Sequence, residues 1–268
     1  MPEGDTVWLA SKRMHEALAG RPLTRFDLRV PAHATADLTG RTVLEVVPRG
    51  KHMLTRFDGG LTLHTHFRLD GSWHLVRPGE RWRGGPAYQV RAVLANADWE
   101  AVGYRLHDVT VLPTAQEDRL VGHLGPDVLG PDWDAAEVVR RIEARPDREI
   151  GDALLDQRVL AGVGNLYKNE ALFLTGIWPW TPAGEVPDVP RLVDRAYRLM
   201  RANREHPEQS TTGSLRRDEA HWVYGRTGRP CRRCGTRIEV GDQSPTGQPE
   251  YARMTNWCPA CQPGPAPK

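Results

Sequence analysis

The spacing of apolar residues predicts a helix followed by a series of short strands. From Asp5 to about Leu18 apolar residues recur at helical spacing, with Asp5 as the N-cap and Gly20-Arg21-Pro22 as the stop. From Leu23 to about Leu112 short alternating runs are typical of β-strands. Asp58-Gly59-Gly60 separates two of them and predicts a hairpin. Several strands without intervening helices favour an antiparallel sandwich. The runs are Thr42 to Val47, His52 to Phe57, Leu61 to Phe67, Tyr88 to Leu94 and Glu100 to Leu112.

After Pro126 the pattern becomes helical. In the last predicted helix the apolar residues share one face and four arginines lie largely on the other, so one side packs and the other meets solvent or phosphate. Thr181 to Pro190 is proline-rich and indicates a linker, and 263–268 indicates a frayed tail. The predicted helices are Asp134 to Ala144, Arg148 to Leu160, Asn165 to Thr175 and Pro190 to Arg204, the last with Leu192, Val193, Ala196, Leu199 and Met200 opposite Arg191, Arg195, Arg198 and Arg201.

The composition indicates a soluble globular protein of two domains, with a third, very small one possible. The 268 residues are 39% hydrophobic and 26% charged, and no apolar run approaches the ~18 residues of a membrane span. The first residues lack the charged and apolar regions of a secretory signal. We therefore expect a cytoplasmic protein, associated with the nucleoid through any DNA partner, with no membrane partner and a monomeric state.

The net charge of +2 conceals a strong asymmetry. Residues 191–237 carry twelve arginines, no lysine and five acidic residues, a net of +7 that leaves −5 for the rest of the chain. Arginine forks onto phosphate oxygens, so this segment favours a polyanionic partner. A solvated helix face explains the charge equally well.

All four cysteines belong to two C-x2-C pairs, Cys231/Cys234 and Cys258/Cys261. Each pair can direct two thiolates at one tetrahedral Zn²⁺, and the 23 residues 235–257 can form a β-hairpin between the pairs. A redox pair or two disulfides are the alternatives, and the expected reducing compartment disfavours disulfides. Four thiolates leave no open coordination position, so we predict one structural zinc ion that holds the hairpin in place.

The N-terminus offers an unusual nucleophile. Removal of Met1 would expose the secondary α-amine of Pro2, and α-amines have pKa values of about 7.7 to 8.0, against about 10.4 for lysine. Such an amine can attack C1′ of a deoxyribose and form an iminium ion, which expels the base and acidifies the C2′ proton. Glu3 could then move protons to the sugar and the base. Many chains begin with proline for no catalytic reason, so this tetrapeptide alone is a weak signal.

Four blocks of sequence stand out in order along the chain: 1–4, 49–51, 152–167 with a gap at 158–161, and the four cysteines. Together they resemble the Fpg/Nei family of DNA glycosylases, most closely the actinobacterial endonuclease VIII branch. The resemblance implies a base excision repair enzyme that is both an N-glycosylase and a β,δ-eliminating AP lyase. It also implies an α+β multidomain fold: an N-terminal β-sandwich catalytic domain over 1–115, a helix-two-turns-helix domain over 116–222, a zinc-finger hairpin over 223–262 and a tail over 263–268.

The same resemblance assigns four catalytic roles. Pro2 corresponds to the Schiff-base nucleophile and Glu3 to the general acid. Lys51 corresponds to the lysine that assists β-elimination and holds a phosphate, although a solvated hairpin lysine is its ordinary interpretation. Arg253 lies five residues before Cys258, where the family has the zinc-finger arginine that assists δ-elimination.

The family pattern also suggests DNA contacts. Leu69 is the expected wedge for the gap left by the flipped nucleotide, and Arg68 contacts the orphaned base. His123 replaces a phosphate-binding arginine of relatives. Asn165, after Gly162-Val163-Gly164, is expected to bind phosphate at a helix N-terminus or to serve as an N-cap, and the two roles are compatible. A metal site on His64 and His66 is disfavoured because no third ligand has suitable spacing.

The lesion class and two rival functions stay open at this stage. The segment from His206 to Tyr224 lacks the long lesion-capping loop of the oxidised-purine branch, which favours oxidised pyrimidines, with oxidised purines as the alternative. The zinc-finger loop is longer than usual in the family, which leaves the path of its hairpin open. A non-catalytic protein that binds damaged DNA, or a zinc-dependent hydrolase that uses the histidines, would also fit parts of the sequence.

Overall fold

The chain folds as two units, residues 1–123 and 124–268, each with its own apolar core. This computed structural model describes residues 2–216, 218–245 and 248–265. Met1 and the last three residues of the predicted tail lie outside the described residues. Within the described part of the chain, no helix is long and apolar enough to cross a bilayer.

The first unit contains one long helix, α1 (Gly4–Leu18), and two four-stranded antiparallel sheets. One sheet has the order β1-β6-β7-β5 and the other the order β2-β3-β4-β8. Apolar residues from both sheets meet in one core, among them Phe26 and Leu94 from the first and Phe57 and Leu63 from the second. A sandwich results. The strands are β1 (Arg25–Leu28), β2 (Val43–Arg49), β3 (His52–Phe57), β4 (Leu61–His66), β5 (Ser72–Val76), β6 (Val90–Ala95), β7 (Glu100–Tyr104) and β8 (Asp108–Pro113).

The predicted sandwich and the β3–β4 hairpin are confirmed, and three details differ. Helix α1 begins one residue early, with Glu3 at the N-cap position, so Asp5 is not the cap. The predicted run Glu100 to Leu112 is two strands because Arg105 adopts φ 48° between them. The sequence analysis also missed β1 and β5. Strand β1 carries Arg25 paired with Asp27 at 2.7 Å, and charged residues of this kind obscure the alternation that marks a strand.

Helices dominate the described chain from Leu124 to about Arg204. Asp134 caps α3 by accepting from the Glu137 backbone N–H at 3.0 Å, and Asp188 caps α6 in the same way. The apolar face predicted for α6 is largely buried, and its arginines are half-buried or exposed. After the short α2 (Asp118–Val121) of the first unit, the helices are α3 (Ala135–Glu143), α4 (Ile150–Leu155), α5 (Asn165–Thr175) and α6 (Val189–Asn203).

The predicted helix from Arg148 to Leu160 is wrong at both ends. Helix α4 spans Ile150–Leu155, because the side chain of Gln157 replaces the helical hydrogen bonds that would follow. It donates to the carbonyls of Leu155 and Val163 at 2.8 and 2.9 Å and accepts from the Gly162 N–H at 3.0 Å. These bonds turn the chain toward α5.

The last structured segment is a two-stranded antiparallel hairpin beside the cysteines. Strand β9 (Glu239–Gln243) pairs with β10 (Arg253–Trp257), and Arg253 lies opposite Gln243. The hairpin predicted between the two cysteine pairs is therefore present. The fold class, an N-terminal pair of sheets, a helical domain and a C-terminal hairpin with four cysteines, is confirmed.

Candidate functional site

Pro2 is half-buried and directly precedes helix α1. Glu3, next to it, is almost completely buried, with 1% of its surface exposed. Its backbone carbonyl accepts from the Val7 N–H at 3.1 Å and so starts the helix. The sequence therefore places a buried carboxylate-bearing residue next to the candidate nucleophile.

Helix α1 runs antiparallel to β2, which places the N-terminus near the β2–β3 turn. Near the end of the helix, the Gly20 N–H donates to the Val43 carbonyl at 2.8 Å. Five residues earlier, His15 Nδ1 accepts from the Val46 N–H at 3.2 Å. The N-terminal end of α1 therefore lies beside the C-terminal end of β2. At about 1.5 Å per helical residue and 3.3 Å per strand residue, Glu3 and Lys51 lie at the same end of the unit.

Lys51 occupies the tight turn between β2 and β3. The last paired residues are Arg49 and His52, so Gly50 and Lys51 form the loop, and Gly50 takes the φ of 59° that such a turn favours. The Lys51 charge is close enough to His66 to lower its pKa. Lys51 also directly precedes His52, which pairs with His66 across β3 and β4.

Three histidines stack on one face of the β3–β4 pair. His52 lies opposite His66, and their rings are parallel with centroids 4.3 Å apart. His52 Nδ1 and His64 Nε2 are hydrogen-bonded at 2.8 Å. His66 Nδ1 lies 3.2 Å from Asp108 Oδ2 on β8. His52 and Asp108 were missed, although the Asp58-Gly59-Gly60 turn fixes a register that pairs positions 52 and 66.

The histidine stack is held in its neutral form. Burial lowers the pKa of His52 to about 3, with the charges of the neighbouring histidines as further causes. Burial also lowers the pKa of His64 to about 4. For His66, burial lowers the pKa and the bond with Asp108 opposes that shift. The stack therefore adds no positive charge near neutral pH beside Lys51.

Arg68 and Leu69 form an exposed turn after β4. Arg68 has φ 50°, a left-handed conformation that costs a non-glycine residue about 1 to 2 kcal/mol. Its guanidinium forms two bonds with Asp108, at 2.8 and 3.0 Å, which raise the pKa of Arg68. Leu69 is 61% exposed, so its apolar side chain is accessible.

His123 is exposed at the end of the first unit, and its charge contributes to the lowered pKa of His52. Lys51 directly precedes His52, and Arg68 bonds to Asp108, the partner of His66, so both residues lie beside the histidine stack. Lys51 and Arg68 were predicted independently, and the structure brings both to one region of the first unit.

Asn165 begins helix α5, with Gly164 as the N-cap residue, so the interpretation of Asn165 as the cap itself is wrong. The side chain is largely buried and its Nδ2 donates to the carbonyl of Met254 at 2.8 Å. The amide of Asn165 therefore contacts β10, next to Arg253.

Arg253 opens strand β10 and its side chain is exposed. Its guanidinium donates to the carbonyl of Ala252 at 3.1 Å. Five residues later comes Cys258, so the strand links the arginine directly to the cysteine cluster.

The four cysteines converge on one point. Their Sγ atoms all lie within 4.8 Å of one another, and among the described residues they form the one group of three or more convergent candidate metal ligands. A tetrahedral site with metal–sulfur distances of about 2.3 Å requires sulfur separations of about 3.8 Å. The observed separations include 3.5, 3.6 and 4.0 Å. The thiols are not joined as disulfides, and their arrangement fits a tetrahedral metal.

Comparisons with known proteins agree along the whole chain. Residues 1–125 match the formamidopyrimidine-DNA glycosylase N-terminal domain, and residues 124–213 match its H2TH domain. The chain is 57% identical to "Probable endonuclease 8 2" of Streptomyces coelicolor, over 100% of this chain and 96% of that relative. It belongs to the endonuclease VIII (Nei) family of bifunctional glycosylase/AP lyases in base excision repair.

Other members of the endonuclease VIII and formamidopyrimidine-DNA glycosylase group are also similar. The "DNA-(apurinic or apyrimidinic site) lyase Nei2" of Mycolicibacterium smegmatis is 44% identical over 98% of this chain and 99% of its own. Fpg of Lactococcus lactis, solved with abasic-site DNA, shares the fold with a TM-score of 0.81 and 21% identity, over 98% of this chain and 100% of that one. The predicted family is therefore confirmed.

Proposed function

We propose that this endonuclease VIII family member excises oxidised bases from DNA and cleaves the strand through a Schiff base at Pro2. One observation carries the proposal. The buried residue Glu3 directly follows Pro2, at the end of the unit that also holds Lys51. A nucleophile, a proton-transfer group and a cation are thereby available to one deoxyribose.

The chemistry follows from a secondary amine at position 2. With Met1 removed, the Pro2 nitrogen attacks C1′, the N-glycosidic bond breaks and the base leaves with a proton, for which Glu3 is the donor. The resulting iminium withdraws electrons from C2′, whose proton is lost as the C3′–O bond breaks in β-elimination. A second elimination breaks the C5′–O bond. Hydrolysis of the iminium then releases the sugar fragment and restores the amine.

The remaining candidate residues grip DNA around this centre. In our proposal, Lys51 and His123 contact phosphates beside the lesion, while Leu69 fills the gap left by the flipped nucleotide and Arg68 contacts the orphaned base. Arg68 would exchange part of its pairing with Asp108 for the base. The left-handed turn at Arg68 supports this role, since strained backbone is concentrated at functional sites.

The second unit contributes the N-terminus of α5 and the hairpin. In our proposal Asn165, at the start of α5, contacts a phosphate, and Arg253 assists δ-elimination by binding the phosphate that leaves from C5′. Cys231, Cys234, Cys258 and Cys261 would hold one structural Zn²⁺, which supplies no step of the reaction and stabilises the knuckle next to β10.

Oxidised pyrimidines are the substrates that we favour. The segment from His206 to Tyr224 is short and polar, and its end is tied down by the carboxylate of Glu170, which accepts from the backbone N–H groups of Trp222, Val223 and Tyr224 at 2.8 Å. We favour a small flipped base because this segment lacks the long lesion-capping loop of the oxidised-purine branch.

The test compares the native N-terminus with a chain that keeps one additional residue before Pro2, both with the same C-terminal tag. Duplexes with an abasic site, thymine glycol or 8-oxoguanine serve as substrates. We expect the blocked chain to lose strand scission by about a thousandfold or more, because the nucleophile becomes an amide. The native chain should process thymine glycol with a higher kcat/KM than 8-oxoguanine.

Affinity for an uncleavable abasic analogue provides the control. Both chains should bind it within about threefold of each other, since a single added residue leaves the phosphate-binding elements intact. Strand scission that survives the block would overturn the proposal. A higher kcat/KM for 8-oxoguanine would overturn the lesion preference alone.

A further inference from the structure

Helix α5 holds three consecutive residues of strand β10, immediately after Arg253. Three side chains of the helix make hydrogen bonds to the strand. Two of them bond to backbone atoms of the strand, and the third bonds to a side chain. The contacts are Asn165 Nδ2 to the Met254 carbonyl at 2.8 Å, Lys168 Nζ to Thr255 Oγ1 at 2.6 Å and the Asn256 N–H to Asn169 Oδ1 at 2.6 Å.

The middle contact is made by a fully buried lysine. Lys168 has 0% of its surface exposed, and its amine also lies 3.3 Å from Gln243 Oε1 on β9. Removing an ammonium group from water costs free energy unless the group is hydrogen-bonded. A buried lysine that only filled space would therefore destabilise the fold. Methionine has a similar length and no such cost.

Gln243 extends this network to helix α4. Its Nε2 donates to Glu149 Oε2 at 2.9 Å and to the Pro179 carbonyl at 2.8 Å. Burial raises the pKa of Glu149. The bond from Gln243 and the charge of Lys168 partly offset this increase. A Cβ on Gly151 would lie 2.3 Å from Gln243 Oε1, so this helical glycine makes room for the glutamine.

The network lies close to Arg253 in the strand. Thr255 and Arg253 are two residues apart, so both project from the same face of β10, about 7 Å from each other. Arg253 is also the direct partner of Gln243 in the hairpin register. Lys168 therefore contacts both strands close to the backbone position from which the Arg253 side chain projects.

We propose that Lys168 is a positioning residue for Arg253: it fixes the loop end of the hairpin, where Gln243 and Arg253 pair, so that the guanidinium reaches the phosphate expelled in δ-elimination. This inference rests on the role of Arg253 in the proposed function. The cysteine cluster follows β10 and holds its far end, whereas Lys168 holds the end that carries the arginine. Positioning of Arg253 thus depends on α5 as well as on the metal.

The test uses the full-length protein and a duplex with a preformed abasic site, under single-turnover conditions. In Lys168→Met the ratio of δ- to β-elimination product should fall between about 10- and 100-fold, as a displacement of about 1 Å can produce. Borohydride trapping at the N-terminus should stay within about twofold. Lys168→Arg should restore most of the ratio because it keeps a cation, and zinc content per chain should be unchanged in both.

Two further variants separate positioning from a general loss of structure. Thr255→Val removes the acceptor of the same contact, so the double variant with Lys168→Met should be no worse than the single one. Thr175→Val, at the other end of α5, removes an intrahelical hydroxyl bond to Ala171 and should leave the ratio unchanged. Exchange of the Thr255 and Asn256 amides should accelerate in Lys168→Met and Thr255→Val.

Arg253→Ala distinguishes this inference from the proposed function. A lowered ratio in Arg253→Ala together with a normal ratio in Lys168→Met and Thr255→Val would overturn the positioning role alone. A normal ratio in Arg253→Ala would overturn the role of Arg253 and the inference with it. A third combination of results would also overturn the positioning role. In it, Lys168→Met loses zinc or borohydride trapping, Lys168→Arg does not restore the lost property, and Thr255→Val keeps a normal ratio.

Discussion

At the scale of single residues, the neutral histidine stack has a consequence for stability. His64 is held at a pKa of about 4 in the folded protein, below the ordinary value of 6.5. The unfolded chain therefore binds a proton at this position at a higher pH than the folded chain does. The contribution of neutral His64 to the free energy of unfolding is fully present above about pH 6.5. It is lost as the pH falls toward about 4.

We predict that His64→Phe makes the first unit less sensitive to acid. Between pH 7 and pH 5 the wild-type protein should lose about 1 to 2 kcal/mol through His64, and the variant should lose correspondingly less. Urea unfolding of the first unit at several pH values measures this slope. His206→Gln, at an exposed position, is the control. Equal slopes for His64→Phe and wild type would contradict the assignment.

The sequence shows the chemical type of a residue, but it shows less well which residues that residue contacts in the fold. The cysteine cluster was predicted correctly because the spacing of the two C-x2-C pairs defines it in the sequence, whereas the roles of Pro2 and Glu3 stay predictions. The bond between His52 and His64 was not predicted, because it depends on strand register and on burial. For the same reason Lys168 drew no attention in the sequence, where a lysine in a helix ordinarily indicates an exposed position.

At the scale of elements, α5 organises the second unit. Its first two turns hold β10, and Glu170 holds the segment that ends at Tyr224 through three backbone N–H groups and the hydroxyl of Thr211. The carboxylate is completely buried. A charged acceptor for several backbone donors is worth more than neutral bonds of the same number. One helix therefore fixes both the hairpin and the region expected near the lesion.

Glu170→Gln should loosen this segment without unfolding the unit. The neutral amide turns a donor toward the backbone N–H groups, so we expect a local loss of about 2 kcal/mol and exchange of the 222–224 amides that is faster by about 30-fold. Hydrogen exchange measured by mass spectrometry gives this value. Glu185→Gln, at an exposed position, is the matched control. Unchanged exchange at these amides would contradict the role assigned to Glu170.

Elements with strong local signals were predicted well. Strand β3 and helix α5 match their predicted bounds, because the hairpin turn and the glycine-flanked helix mark their ends. Helix α4 was predicted too long because Gln157 makes bonds to the backbone that apolar periodicity does not register. The missed strands β1 and β5 depend on partners distant in sequence, β6 and β7.

At the scale of the whole molecule, the sequence contained enough to establish the order of parts and the family. The concentration of arginine in residues 191–237, with a net charge of +7, belongs to the second unit and suits a DNA backbone. The first unit carries the candidate chemistry. Lesion choice depends on how DNA is bent and how a base is extruded, which local patterns do not determine.

The most direct test of the account is to locate the covalent bond to DNA. The native protein is incubated with an abasic duplex and borohydride, digested with nuclease and protease, and the sugar-bearing peptide is sequenced by mass spectrometry. The account predicts one modified peptide that starts at Pro2 with Met1 absent and the sugar remnant on the proline nitrogen. A remnant on Lys51 or another lysine, or an adduct on a chain that retains Met1, would contradict it.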